Sequence, residues 1–338
     1  MRFLLSLNHL ELCTVVAIFS AFLFTENAAV VISIYKCNFN KTLLMNHLNM
    51  KRVILFISVM ICALSISAQE RTINVIVIGA HPDDCDGDAG GTAILFAKMG
   101  HRVKFISMTN GDAGHFNKGG GQLAKIRRAE AMEAGRRFGV EYEVLDNHDG
   151  ELMPTLENRL KIIREIRKWN ADIVIAHRPN DYHPDHRYTG ILVQDAAYMV
   201  IVPNVVPEVP PLRRNPVFLY TEDRFQTPTP FNPDIAVIID PVFDQKIFAM
   251  AAHESQYFEW LPWASGYLDQ VPEDEASRLN FLAERRKFTP DEKTRECLRK
   301  WYGDKAMNAM HAEAFQICEY GRQPDDEEIK RLFPMLGK

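Results

Sequence analysis

The chain has 338 residues, 47% of them hydrophobic and 25% charged, with a formal net charge of −5. That is enough apolar material for one large core or two modest ones, and it excludes a disordered or collagen-like polypeptide. An acidic balance leaves no footprint for nucleic acid or for an anionic membrane surface.

Residues 1–68 differ in kind from the rest, holding five basic side chains (Arg2, Lys36, Lys41, Lys51, Arg52) and two acidic ones (Glu11, Glu26). Met50-Lys51-Arg52, the apolar run Val53 to Leu64 and Ser65-Ile66-Ser67-Ala68 make the three parts of a secretory signal peptide. We read 1–68 as a leader with its core at 50–68, a start codon assigned too far upstream of Met50, and export to the periplasm or the cell exterior. The alternative is an N-terminal membrane anchor over residues 12–35. Its two apolar runs are each short for a span, and Glu26 would sit near its centre. Without the leader, 34 basic and 42 acidic residues remain, a formal charge of −8, with no stable membrane span expected in the mature chain. Of six cysteines, Cys85, Cys297 and Cys318 lie beyond the leader, an odd number without CxxC spacing that excludes a disulfide framework. A Cys297–Cys318 bridge and buried free thiols both stay open.

The first element is the run Ile73 to Ile78, with five β-branched apolar residues and no alternation, as in a strand covered on both faces. It stops on His81-Pro82-Asp83-Asp84, where Pro82 ends the ladder and the carboxylates project from the strand's carboxyl end. A helix through Thr92 to Met99 follows, with Asp88 as its expected cap, Gly90-Gly91 in its first turn and Gly100 closing it. The GxGxxG fingerprint is absent, which argues against a nucleotide-binding fold. Strand Val103 to Met108 leads into Asn110 to Gly121, a loop with five glycines that can form a mobile cleft wall. Helix Gln122 to Phe138, strand Tyr142 to Leu145 and helix Thr155 to Trp169 come next. Strand Ile173 to Ala176 then stops on His177-Arg178-Pro179-Asn180-Asp181-Tyr182-His183-Pro184-Asp185-His186, mirroring the first turn.

Beyond it lie a helix from Tyr188 to Val200, a proline-rich connector, strands Val217 to Thr221 and Ile235 to Ile239, and helical periodicity from Val242 to Gln256. The remainder reads as helical and charged. The fold class expected is α/β, Rossmann-like, a mostly parallel sheet with helices on both faces. One domain spans 71–260, and a helical C-terminal extension over 261–338 packs on it.

Right-handed β-α-β winding brings both polar turns to one sheet edge. His81, Asp84 and His186 then offer two imidazoles and one carboxylate, a set that suits Zn²⁺ with an open position and leaves the ion able to acidify a water. Asp83, beside a ligand, suits a general base. His183 is placed to stabilise an oxyanion and protonate a leaving amine, with Asp185 fixing its tautomer and raising its pKa. The spacing of Asp84, Asp86 and Asp88 does not make a calcium loop, because Ala89 and Leu95 stand where an EF-hand needs glycine and glutamate. Asp86 and Asp88 are read as solvated or capping. His115, Arg178, Asp181 and Tyr182 border the cleft. Trp260 and Trp263 either stack on a sugar ring or pack the extension onto the core.

Ala80-His81-Pro82-Asp83-Asp84 with Gly90-Gly91-Thr92, Thr109-Asn110-Gly111-Asp112, His183-Pro184-Asp185-His186 and Ala252-His253-Glu254-Ser255-Gln256 resembles the LmbE/PIG-L family of metal-dependent N-deacetylases over residues 73–256. The resemblance implies a Rossmann-like fold and a zinc-activated water that removes an acetyl group from an amide nitrogen, commonly on an amino sugar such as N-acetylglucosamine. It implies His81, Asp84 and His186 as metal ligands, Asp83 as base and His183 as oxyanion and acid partner, with a small molecule or glycan as substrate. Fe²⁺ is the alternative ion. Cys85 stands where many relatives carry a small or acidic residue, and a thiolate there would compete for the metal. The alternatives are a non-catalytic carbohydrate-binding protein on the same fold and a zinc amidohydrolase acting on a non-sugar amide. Mass spectrometry of the secreted form should find Gln69 as the first residue; a mature N-terminus upstream of Met50 would overturn the start-site reading.

Overall fold

The computed structural model describes residues 71–337, so the expected leader lies outside the described residues. Seven strands form one sheet in the order β3-β2-β1-β4-β5-β7-β6. They are β1 (Asn74–Gly79), β2 (Arg102–Thr109), β3 (Glu141–Asn147), β4 (Ile173–Ala176), β5 (Val217–Thr221), β6 (Ile235–Ile238) and β7 (Ala312–Ile317). The first five run parallel, with Val75 opposite both Val103 and Ile173, and β7 runs antiparallel to both β5 and β6.

The helices between the parallel strands are α1 (Asp84–Lys98), α2 (Gly120–Phe138), α3 (Leu156–Trp169) and α4 (Pro184–Met199). Val75 and Val77 of β1 enter one core with α1 and α2, while Ile76 and Ile78 enter another with α3 and α4. Two covered faces explain why β1 is apolar without alternation. The chain winds outward from β1 through β2 to β3, then crosses back to β4 on the other side. The ends of β1 and β4 therefore frame the point where strand order reverses, and connections leaving in opposite directions open a crevice there.

Both helices leaving that crevice begin earlier than the sequence suggests. α1 starts at Asp84, with Asp83 as its N-cap residue, so Asp88 lies within the helix and does not cap it. Gly90 and Gly91 fall beyond its first turn, where they serve packing. A Cβ on Gly91 would come within 2.7 Å of Ile239 Cγ2 and 3.0 Å of Glu313 Oε1. α4 starts at Pro184, its N-cap His183 taking the Asp185 N–H on Nδ1. Proline at a helix's first position lacks only an N–H that would have no partner there.

After β6 come α5 (Phe243–Met250), a π-helical turn over Ser255–Trp260 and its short continuation α6 (Leu261–Ala264), then α7 (Glu275–Arg285), α8 (Glu292–Tyr302), β7 and α9 (Asp326–Leu332). The expected helical extension over 261–338 thus omits a strand: Ala312–Ile317 is laced between β5 and β6, and everything from Thr72 onward forms one compact unit. Its sequence, Ala-Glu-Ala-Phe-Gln-Ile, is rich in helix formers and carries a glutamate on what becomes a buried face. Tertiary pairing overrides that local preference.

The buried glutamate explains itself in the packing. Glu313 accepts the Gly91 and Thr92 N–H groups of α1, each at 2.7 Å, and pairs with Lys246 Nζ of α5 at 2.6 Å. Lys246 Nζ also donates to the Gly87 carbonyl at 2.6 Å. Gly87 C=O and Gly91 N–H are the two groups a regular helix joins to each other, so the ion pair reaches both halves of one rung of α1. The three cysteines of the described residues are buried free thiols, which removes the Cys297–Cys318 bridge. Among the described residues no helix is long and apolar enough to cross a membrane. Glu313→Ala strands a fully buried ammonium, and we expect a loss of roughly 3–5 kcal/mol in urea denaturation. Adding Lys246→Met should recover much of it; a Glu313→Ala protein as stable as the parent would remove the pair from the fold's support.

Candidate metal and hydrolytic site

The turn after β1 is shaped by one carboxylate oxygen. Asp84 Oδ2 accepts the Ala80 N–H at 2.8 Å and the His81 N–H at 2.7 Å, folding the first turn of α1 back onto the strand end. The same oxygen lies 3.5 Å from His81 Nδ1 and 3.5 Å from His186 Nε2, and those two nitrogens are 3.1 Å apart. A four-coordinate ion with bonds of about 2.0–2.2 Å sets its ligand atoms roughly 3.4 Å from each other. The three residues expected as ligands therefore meet in a triangle of suitable size, although His81 and His186 are 105 positions apart.

Each imidazole turns its other nitrogen to a carboxylate. His81 Nε2 is 3.3 Å from Asp149 Oδ1 and 3.3 Å from Asp185 Oδ2, and His186 Nδ1 is 3.1 Å from Asp181 Oδ1. Carboxylates this close behind the rings draw a proton to those outer nitrogens, the tautomer in which His81 Nδ1 and His186 Nε2 are lone-pair donors toward the triangle. Burial disfavours the His81 imidazolium, yet Asp149, Asp185 and Asp84 outweigh it and hold the pKa well above the usual histidine value. Asp84 is likewise buried, and His186, His177 and His81 bring its carboxyl well below the usual range. This is a pocket whose potential favours positive charge, and the donor set fits a divalent cation.

His177, at the end of β4, stands beside the triangle. Its Nε2 is 3.1 Å from Asp84 Oδ2, and its ring lies parallel to His186 with centroids 4.3 Å apart. Asp84, His177 and His186 form a second group of donors close enough to share an ion, as do His81, His183 and His186. A cavity of about 100 Å³ opens next to His177, lined also by Asp88, Thr221 and Glu222. Burial pushes Asp88 up to about 6 and Glu222 up to about 7.

Asp83 is buried beside the triangle. Gln256 Nε2 donates to its Oδ2 at 3.0 Å, while its Oδ1 has no hydrogen-bond partner. Burial first, and Asp84 second, raise its pKa, which suits a group that must accept and hold a proton. His183 is half-buried with its ring edge-on to His81, centroids 4.5 Å apart. Burial, followed by His81 and His186, lowers its pKa, the reverse of the rise expected from Asp185. Asp185 does not aim at the His183 ring. Its carboxylate is fully buried, takes the N–H groups of Gly150 and Leu152 at 2.7 and 3.2 Å, and faces His81.

Other expectations are corrected by depth. Asp86 is fully buried, not solvated, bonded at Oδ1 to His253 Nε2 and at Oδ2 to the Tyr142 hydroxyl, each at 2.9 Å. Cys85 does not reach the metal triangle: its thiol points to the Val77 and Ile106 carbonyls, and burial raises its pKa well above the usual value. Arg178 is tied to Asp223 and to the Thr229 carbonyl, and Tyr182 sits exposed at the lip against the His183 and His186 rings.

Sequence reasoning missed Asp149, His177 and Gln256 as site residues. Asp149 lies in a plain polar turn, where only its bond to Asp112 Oδ1 through its own N–H betrays a fixed position. Gln256 ends the Ala252-His253-Glu254-Ser255-Gln256 block, and the block's presence was the one available signal.

The family model described as PIG-L, GlcNAc-PI de-N-acetylase, matches residues 76–197. The diacetylchitobiose deacetylase of Thermococcus kodakarensis is 32% identical over 203 residues, 56% of this chain and 73% of that protein. The 4-oxalmesaconate hydratase of Pseudomonas putida is 25% identical over 195 residues, 55% of this chain and 75% of that one. Among solved structures, the inhibitor complex of the N,N'-diacetylchitobiose deacetylase from Pyrococcus horikoshii aligns with a TM-score of 0.55 at 25% identity, over 75% of this chain and 88% of that one. If the carboxylate behind His186 tunes it as a ligand, Asp181→Ala should weaken Zn²⁺ binding about 10–100-fold in competition with a chromophoric chelator. Unchanged affinity would show that Asp181 does not support His186 as a ligand.

Proposed function

Because the chain belongs to the PIG-L family of de-N-acetylases, we propose that it hydrolyses the N-acetyl group of an amino sugar or glycoconjugate, with His81, Asp84 and His186 holding the ion and Asp83 as general base. One observation carries the reading: a triangle of three donor atoms with a buried, hydrogen-bonded carboxylate on the adjacent residue. When bound, Zn²⁺, or Fe²⁺ in its place, supplies the Lewis acidity that polarises the acetyl carbonyl and brings the pKa of a water toward about 7.

The chain's own residues do the rest. Gln256 holds Asp83 Oδ2, which leaves Oδ1 as the oxygen that removes the proton from the attacking water. His183 accepts the Asp185 N–H on Nδ1, so its hydrogen sits on Nε2. Its lowered pKa keeps the ring neutral, and Nε2–H donates to the oxyanion that develops on the former carbonyl oxygen. A neutral imidazole is a poor proton source, so Asp83 returns the proton it took to the departing nitrogen. The products are acetate and a free amine. The carboxylates Asp149, Asp185 and Asp181 keep the two histidine ligands aimed throughout.

One relative is named a hydratase, an activity that releases no acetate, and a carbohydrate-binding protein would need no base. Acetate release separates these readings. The same proposal includes export, with residues 1–68 removed. Asp83→Asn should keep its metal by elemental analysis while acetate release from N-acetylated saccharides falls at least about 10²-fold. Chelation should abolish the parent's activity and added Zn²⁺ restore it; an Asp83→Asn variant as active as the parent would remove the mechanism.

A further inference from the structure

Four aromatic rings form a row that joins the glycine-rich loop to the π-helical turn. Trp260 and Trp263 lie nearly parallel, with centroids 5.5 Å apart at 22°; Trp263 and Phe116 follow at 5.2 Å and 18°, and Phe116 and His115 at 4.4 Å and 24°. Near-parallel rings at such separations are offset, which leaves part of the Phe116 and Trp263 faces open while His115 beneath them is buried. Phe116 is 36% exposed and Trp263 49% exposed. Trp260, Trp263 and Phe116 belong to neither hydrophobic core, so the reading in which the tryptophans only pack the C-terminal region does not describe them.

The row begins near the carboxylate that backs His81. A Cβ on Gly114 would lie 3.1 Å from Asp149 Oδ2 and 4.0 Å from Trp260 Nε1, and Asp149 is the carboxylate behind His81. It is also held in place. Glu259 binds His115 Nε2 at 2.8 Å and pairs with Lys118 Nζ, tying the glycine-rich loop to the π-helical turn that presents Trp260. π-turns recur at functional sites because they re-aim side chains. His115 Nδ1 in turn accepts the N–H groups of Asn117 and Lys118 at 3.2 and 3.3 Å, which stiffens the loop under Phe116.

A pyranose ring has an apolar C–H face and a hydroxyl edge. The row offers it open aromatic surface, and the half-exposed Lys118 and Glu259 offer a donor and an acceptor beside that surface. We propose that Phe116, Trp263 and Trp260 form a subsite for a sugar one unit beyond the one that loses acetate, making the substrate an oligosaccharide or glycoconjugate and not a free monosaccharide. This rests on the deacetylase reading for its choice of sugar, but binding can be measured without turnover.

The test uses the full mature chain carrying Asp83→Asn, titrated with N-acetylglucosamine and with its β-1,4-linked trimer, reading tryptophan fluorescence and calorimetry. The trimer should quench fluorescence and bind at least tenfold more tightly than the monomer. Trp263→Ala and, separately, Phe116→Ala should erase that preference, while Trp263→Phe should keep most of it. Equal binding of monomer and trimer, or a preference that survives both alanine variants, would overturn the subsite. Acetate release by the parent reports on the reaction independently. A trimer preference lost in the alanine variants without any acetate release would uphold the subsite and sink the deacetylase; acetate release without a preference would do the opposite.

Discussion

A single oxygen atom, Asp84 Oδ2, ties backbone to chemistry in this protein. It receives the two N–H groups that the chain exposes as it leaves β1, and it faces the imidazoles of His81, His177 and His186 at 3.1–3.5 Å. A carboxylate held by two backbone donors is not free to swing away. Its position is set by the sheet, and through the sheet by the cores on both faces. A donor carried on a loop would have no comparable anchor, and the histidines opposite it are held by the same logic, each with an acid at its back.

The surroundings of that oxygen explain why so many charges can be buried together. Five carboxylates, from Asp83, Asp84, Asp149, Asp181 and Asp185, crowd around a few histidines at a strand-order reversal. None is left to bear its charge alone: backbone N–H groups serve Asp84 and Asp185, amide and imidazole groups serve the others. Unpaired, such a cluster would be costly in a low-dielectric interior, and the imidazoles, backbone N–H groups and amide around it offset that cost.

Much of this was legible in the linear chain, and the reason is geometric. Apolar runs such as Val75 to Ile78 end abruptly at polar residues only where a parallel sheet ends, so His81, Asp84 and His186 could be matched before any coordinates. Acidic partners were harder. Asp149, Asp181 and Asp185 reach their histidines through the path of connecting loops, which periodicity does not report. Asp86 looked solvated because its spacing is that of a surface turn, yet α1 begins early enough to carry it inward to His253 and Tyr142. β7 was invisible because alanine, glutamate and glutamine favour the helix they do not form here.

That last strand has a consequence for how the molecule comes into being. Residues 312–317 slot between β5 and β6, and Glu313 grasps the helix that starts at the reactive turn nearly 230 positions earlier. A ribosome emits the chain from the other end, so the histidine-bearing corner is made first and braced last. Until the final tenth of the polypeptide emerges, β5 and β6 lack the neighbour that joins them and Lys246 lacks its counter-ion. A prematurely terminated product would therefore keep every residue of the reactive centre and still have an open seam in its sheet.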